Sequence, residues 1–238
     1  MVSTEKEFHY EFNLLPQTID TLKKALRVAV IYGGNKTEPG AVLNQGHNFR
    51  PYKSYEKVAA DIQNALFELG FEQVYLLPDD MTLPQKLKEM RVNFAWVNSC
   101  GVQGVNPAAH TTAMLEMMGI PYVGHNPLNA TLLDNKHIFK NELAAMGLPT
   151  APFMTWNTTP GMLGLNIERF KRSFGEYPGP FVVKPISGRA SLHVHVVNDR
   201  KELTDAIAEV YVHTLQNVIV EKYLPGREYA ISVCGNVR

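Results

Sequence analysis

Residues 114–153 read MLEMMGIPYVGHNPLNATLLDNKHIFKNELAAMGLPTAPF, and the texture of the chain changes within them. Before this point short β-branched runs alternate with helical periods. RVAVIYGG (27–34) is a β-branched run closed by two glycines, as where a buried strand enters a loop. SYEKVAADIQNALFELG carries Val58, Ile62, Ala65, Leu66 and Leu69 at helical spacing and stops at Gly70. EQVYLLP, LPQKLKEMR, NFAWVN, PAAHTTAMLEMMG and IPYVG continue as strand, helix, strand, helix and strand. This alternation predicts parallel βαβ units with right-handed crossovers, hence an open α/β sheet. Ligands then sit outside the carboxyl ends of the strands, near the loops after Gly34 and Asn98.

Within the quoted stretch, the spacing predicts a helix from about Pro127 to Met146, broken near Asp134 and stopped by Gly147 before Pro149. Beyond it the pattern is a strand PFMTW, a polar loop with Pro160 and Gly161, a helix near 166–174 and the strand FVVKP. A loop, the strand LHVHVV, a helix over RKELTDAIAEVYVHT and the strands VIVEKYL and EYAISVCG follow. That mixture reads as an α+β second domain. Residues 1–26 form an N-terminal extension with a short helix at IDTLKKAL.

Composition narrows the function. A chain of 238 residues with 45% hydrophobic content can bury a substantial core. Lys plus Arg equals Asp plus Glu at 23 each, so no global charge argues for nucleic acid or an acidic membrane surface, and any anion site must be local. There is no apolar run of membrane-spanning length, and MVSTEKEFHYEF lacks the features of a secretory signal; a cytoplasmic location is expected. Cys100 and Cys234 form neither a disulfide framework nor a paired-cysteine metal motif.

Three stretches can carry chemistry. In FVVKPISGRASLHVHV (181–196) a lysine ends an apolar strand, and a small-residue loop follows. Lys184 reads either as a strand-end lysine reaching water or as an anion ligand; the loop with Ser191 reads as a hairpin connection or as a flap offering N–H groups to phosphate. In VIVEKYLPGRE (218–228), Glu221 and Glu228 flank a bend at Pro225 and Gly226. They suit either a solvated rim or a nucleotide, one carboxylate near the base and one accepting from a ribose diol. In DNKHIFK (134–140), Lys140 lies one helical turn from Lys136; a solvated position is the expectation for it. His193 and His195 share one strand face on this reading, in a structural rather than a metal-binding role.

In order and spacing, the 114–153 stretch, PFVVKP with its loop, and VEKYLPGREYAISVCG resemble the ATP-grasp carboxylate-amine ligases, above all their D-alanine:D-alanine ligase branch. The resemblance runs from about Val28 to the last residue. It implies a parallel-sheet α/β domain over 27–135, a central ATP-grasp subdomain over 136–224, and the first strand of a third subdomain over 225–238. It implies ATP as cofactor: Lys136 and Lys184 on its phosphates, Ser191 in the covering loop, Glu221, Lys222, Tyr223 and Leu224 around adenine with Glu221 accepting from the amino group, and Glu228 on the ribose. The implied reaction activates a carboxylate as an acyl phosphate and joins it to an amine, with small-molecule substrates such as amino acids and a homodimer as a compatible assembly. Mg²⁺ is implied too, with its ligands expected past residue 238, so that this chain alone is expected to be inactive.

The sequence departs from that family in several places. SGRAS is followed by Leu192 and His193 rather than by a glycine, and SCGVQGVNPAAH holds no acid. Glu38 and Glu56 are the acids near the double glycine, while Gln103, Asn106 and His110 offer neutral hydrogen bonding, His110 with a core position as the alternative. Two other readings remain: a nucleotide-binding or regulatory module without turnover, and a dinucleotide oxidoreductase. The second rests only on RVAVIYGG, which lacks the third glycine of that fingerprint.

Overall fold

The structure is a computed structural model, and it describes residues 17–42, 54–102, 104, 107–156, 167–188 and 191–231. The chain divides into two compact units, Met1–Asn135 and Lys136–Arg238.

The first unit contains helix α1 (17–25), then β1 (Arg27–Tyr32), α2 (Glu56–Glu68), β2 (Gln73–Pro78), α3 (Leu83–Glu89), β3 (Phe94–Asn98), α4 (His110–Met117), β4 (Tyr122–Val123) and α5 (Pro127–Asp134). Its sheet is parallel throughout, in the order β2-β1-β3-β4. Central β1 is covered on both faces: Ala29 and Ile31 pack with Leu83, Leu87 and Leu115, and Val28 and Val30 with Ala59 and Leu66. A strand buried on both sides has to be apolar at every position, which is why VAVI runs without a polar residue.

The predicted break in the long helix is real. The Asn126 side chain caps α5 by accepting from the Asn129 N–H at 2.8 Å, and Asn135 leaves the helix at φ −90°, ψ 100°. The second unit then starts with α6 (Lys136–Ala145), followed by β5 (Phe153–Trp156), α7 (Ile167–Phe174), β6 (Phe181–Pro185), β7 (His195–Val197), α8 (Leu203–Thr214) and β8 (Val218–Lys222). These strands form an antiparallel sheet in the order β5-β8-β6-β7, so the last strand among the described residues lies between β5 and β6.

The two faces of this sheet differ. Met154, Trp156, Phe181, Val183, Val218 and Val220 build one with Phe170 and Phe174 of α7 and Leu203, Ile207 and Val210 of α8. The residues between them, Phe153, Val182, Lys184, Ile219 and Glu221, share the other face by register. The alternation in FVVKP is therefore Phe181, Val183 and Pro185 inward, Val182 and Lys184 toward the opposite side.

One expected strand is shorter than its sequence pattern. LHVHVV pairs only from His195, because Ser191 and His193 both adopt φ 55° in a turn. The two histidines consequently do not share a strand face. His193 stacks on His213 at 5.1 Å between ring centroids, whereas His195 meets Glu209 at 3.5 Å. EYAISVCG forms no ladder over 228–231, and its remainder lies outside the described residues. The loop with Pro160 and Gly161 lies outside them as well.

Candidate functional site

Register brings the central pair of the site together. Val182 lies opposite Glu221 and Lys184 opposite Ile219, so Lys184 and Glu221 are diagonal neighbours on one face. The Lys184 Nζ reaches Glu221 Oε2 at 2.7 Å. A second lysine takes the other oxygen: Lys140 Nζ is 3.4 Å from Glu221 Oε1.

Lys140 was expected in solvent and is instead 8% exposed. The reason is local. One turn into α6 it reaches over β5, where its ammonium donates to Thr150 Oγ1 at 2.7 Å and lies 5.1 Å from the centroid of the Phe153 ring. Phe153 is itself directly opposite Glu221 in the ladder. Helical spacing from Lys136 could show that the two lysines share a side of α6; it could not show that the side faces a carboxylate.

Lys136 opens α6 and is bound to the loop after β6. Its backbone N–H donates to Ile186 O at 2.8 Å and its Nζ to Gly188 O at 3.3 Å. The first turn of α6 and the segment leaving Lys184 are thus held together. Ser191 is exposed in the turn beyond, at φ 55°; Arg189 of the SGRAS loop lies outside the described residues.

The rest of the VEKYLPGRE stretch is arranged around backbone. Lys222 turns to the opposite face from Glu221, its Nζ 4.6 Å from the Tyr177 ring centroid, and its N–H donates to Pro152 O at 2.9 Å. The Tyr223 N–H donates to Pro180 O at 3.1 Å. Leu224 and Glu228 are exposed beyond the end of β8. The structure therefore gathers Lys184, Glu221 and the unanticipated Lys140, ties Lys136 to the adjoining loop, and leaves Ser191, Leu224 and Glu228 at the surface.

Charge and burial together define what this face can do. Two ammonium groups share one carboxylate, which leaves a net positive charge among side chains 21% exposed or less. Burial lowers the Lys140 pKa from its ordinary value, Glu221 opposes that shift, and Lys184 adds to it. Buried charge without full compensation is costly, so the arrangement favours an anionic ligand. Val182, half-buried on the same face, offers apolar surface next to it, and the fully buried Ile219 lies beneath.

The first unit has a separate polar cluster at the carboxyl ends of its strands. Asp79 is 1% exposed, and its carboxylate accepts from Ser99 Oγ and Thr111 Oγ1, each at 2.6 Å. The Lys36 ammonium donates to the Asp79 carbonyl; burial lowers its pKa, with Asp79 and Asp80 acting against the shift. A cavity of about 400 Å³ is lined by Asp79, Asp80, Met81, Val102, His110 and Met114, among others. His110, for which a core position was the alternative, is exposed. Glu38 is held by Asn35 Nδ2 at 2.9 Å, and Glu56 opens α2; Gln103 and Asn106 lie outside the described residues.

Comparison with known proteins gives this geometry a context. Residues 143–238 match the family model described as D-ala D-ala ligase C-terminus. A D-alanine–D-alanine ligase of Anaeromyxobacter dehalogenans is 31% identical over 210 residues, covering 87% of this chain and 60% of the relative. One from Bacillus anthracis is 29% identical over 209 residues, with the same two coverages. The chain therefore spans about three fifths of the length of these relatives.

Among solved structures, the Bacillus anthracis D-alanine–D-alanine ligase complexed with ATP aligns with a TM-score of 0.61 at 23% identity, over 84% of this chain and 57% of that one. D-alanyl-alanine synthetase A of Vibrio cholerae aligns at 0.60 and 19% identity, over 85% and 60%. At these identities the structural likeness speaks for the fold, and the sequence relatives carry the kinship. Both lead to the same place: the chain is similar to D-alanine–D-alanine ligases in sequence and shares the fold of their solved structures.

Proposed function

We propose that this chain is the nucleotide-binding part of an ATP-dependent ligase that joins a carboxylate to an amine, with small amino acids as the substrate class. The observation that carries the reading is the Glu221 carboxylate shared by Lys184 and Lys140, a partly buried site with one positive charge in excess. Its charge and donor set fit a polyphosphate, and the half-buried apolar Val182 alongside fits a purine ring.

On this reading Lys184 and Lys136 bind phosphate oxygens, and Ser191 belongs to the segment that covers them. Glu221 accepts from the adenine amino group. The backbone along Lys222, Tyr223 and Leu224 serves the ring edge, and Glu228 takes the ribose hydroxyls. ATP, when bound, supplies the phosphoryl group that activates the carboxylate. The lysines hold and neutralise the phosphates, and the loop excludes water that would hydrolyse an acyl phosphate. Among the described residues no cluster of three His, Cys, Asp or Glu side chains could hold a metal ion, and the same reading proposes Mg²⁺ with ligands outside them.

The same reading proposes the boundaries 27–135, 136–224 and 225–238 for the α/β domain, the central subdomain and the start of a third. It also proposes a cytoplasmic setting; among the described residues no helix is long and apolar enough to cross a membrane.

Isothermal titration of the chain with ATP, with and without Mg²⁺, tests the proposal. Binding that Lys184→Ala weakens by about tenfold or more is expected, the worth of one charge-assisted contact. Absence of ATP binding by the chain and by any longer product of the same gene would refute it.

A further inference from the structure

Glu221 is asked for two incompatible things. It holds Lys184 at 2.7 Å, yet the proposed function needs Lys184 to bind phosphate and Glu221 to face a base. If Lys184 were its only partner, moving that ammonium to a phosphate would leave a buried carboxylate unpaired, a costly state. Lys140 removes the conflict. It bonds the opposite oxygen, Oε1, at 3.4 Å, and it is fixed independently of any ligand by Thr150 at 2.7 Å and by the Phe153 ring.

We infer that Lys140 is a positioning residue, the standing counter-ion that keeps Glu221 ionised and in place while Lys184 transfers from that carboxylate to a polyphosphate. The inference rests on the proposed ATP site and assigns to Lys140 a role distinct from phosphate binding. Three features of Lys140 suit it to that role. It is the most buried of Lys136, Lys140 and Lys184, its ammonium already has a hydroxyl acceptor, and it lies over an aromatic ring rather than beside the loop after β6. Lys184 by contrast has its ion pair in the one carboxylate, so among the described residues it can leave without breaking another. The exchange conserves pairing: before binding the carboxylate has two lysines, and afterwards each anion has one.

The test is a set of titrations with ATP and with inorganic tripolyphosphate, which has no base and so reports the lysines alone. Lys140→Met is expected to weaken both by about tenfold, because Lys184 then cannot leave Glu221 without stranding it. Adding Glu221→Gln to Lys140→Met is expected to restore tripolyphosphate binding, since a neutral amide does not retain Lys184, while ATP binding stays weak for want of the acceptor at the base. Damage to the fold alone would not be rescued by a second substitution. Lys140→Gln, which keeps a polar group for Thr150, is the companion variant should the methionine prevent folding, and the same order is expected of it.

Undiminished tripolyphosphate binding by a folded Lys140 variant would overturn the inference, as would failure of Glu221→Gln to rescue it. Either result leaves the proposed ATP site standing if the wild-type chain binds ATP. If neither the wild-type chain nor any longer product of the same gene binds either probe, both readings fail together.

Discussion

The two sheets of this chain expose their chemistry in different places, and strand environment is the cause. β1 is sandwiched in a parallel sheet, with Val28 to Ile31 each 1% exposed or less, so its faces have no room for a charge. The polar groups of that unit gather at the strand ends, around Asp79 and Lys36. β6 packs only one face on α7 and α8, and its other face can hold Lys184 beside Glu221. A strand covered on one side can carry function along its length; a strand covered on both carries it only where it stops.

Substitutions along β6 test this contrast most sharply. Phe181 is fully buried and meets the rings of Phe170, Phe174 and Tyr177 at centroid distances of 5.6, 5.3 and 5.3 Å. Phe181→Ala is expected to cost about 3–5 kcal/mol in urea unfolding. Its neighbour Val182→Ala, on the half-covered face, is expected to cost about 1 kcal/mol or less. Equal losses at the two positions would mean that both faces of the sheet are packed alike.

A smaller effect is expected at the strand ends of the other sheet. Asp79→Asn replaces a buried carboxylate that accepts two hydroxyl hydrogen bonds and supports the Lys36 ammonium. A loss of about 1–3 kcal/mol is expected, with the Lys36 pKa moving further down as its opposing charge disappears. Unchanged stability would place Asp79 outside the framework of that unit.

The smallest expected effect is a pH dependence that belongs to the site face. Lys140 has a pKa lowered below its ordinary 10.5, chiefly by burial. Between that lowered value and 10.5 the unfolded chain holds the proton and the folded chain has released it, so stability from this group rises with pH across the window. Below the window both states are protonated and the penalty of burying the charge is fully present. Urea melts through this alkaline range should show the wild type gaining on Lys140→Met as pH rises; a constant difference between them would contradict the lowered pKa.

Much of this was legible in the sequence, and the failures share a cause. β1, β2, β3, β6 and β8 follow from short β-branched, aromatic and aliphatic runs bounded by glycine, proline or polar residues. The break between α5 and α6 follows from the interrupted pattern near Asp134. Lys184 and Glu221 were both singled out, but nothing local says that they touch, because their meeting depends on the β6–β8 register. Lys140 was misjudged for the same reason: its burial is decided by Thr150, Phe153 and Glu221, which lie in other elements. LHVHVV was over-extended because alternation persists in the letters after the backbone has turned at Ser191 and His193.

The position of β8 has a consequence for the order in which the second unit comes into being. β5 and β6 have no ladder with each other; each pairs with β8, which follows both in sequence. The β6–β7 hairpin can form early, but β5 has nothing to join until residues 218–222 arrive, and such long-range pairing is slow. A nascent chain emerging from the ribosome would therefore carry Lys136, Lys140 and Lys184 for some time as scattered cations. The strand that closes the sheet also delivers Glu221, so completion of the fold and assembly of the charge cluster are a single event.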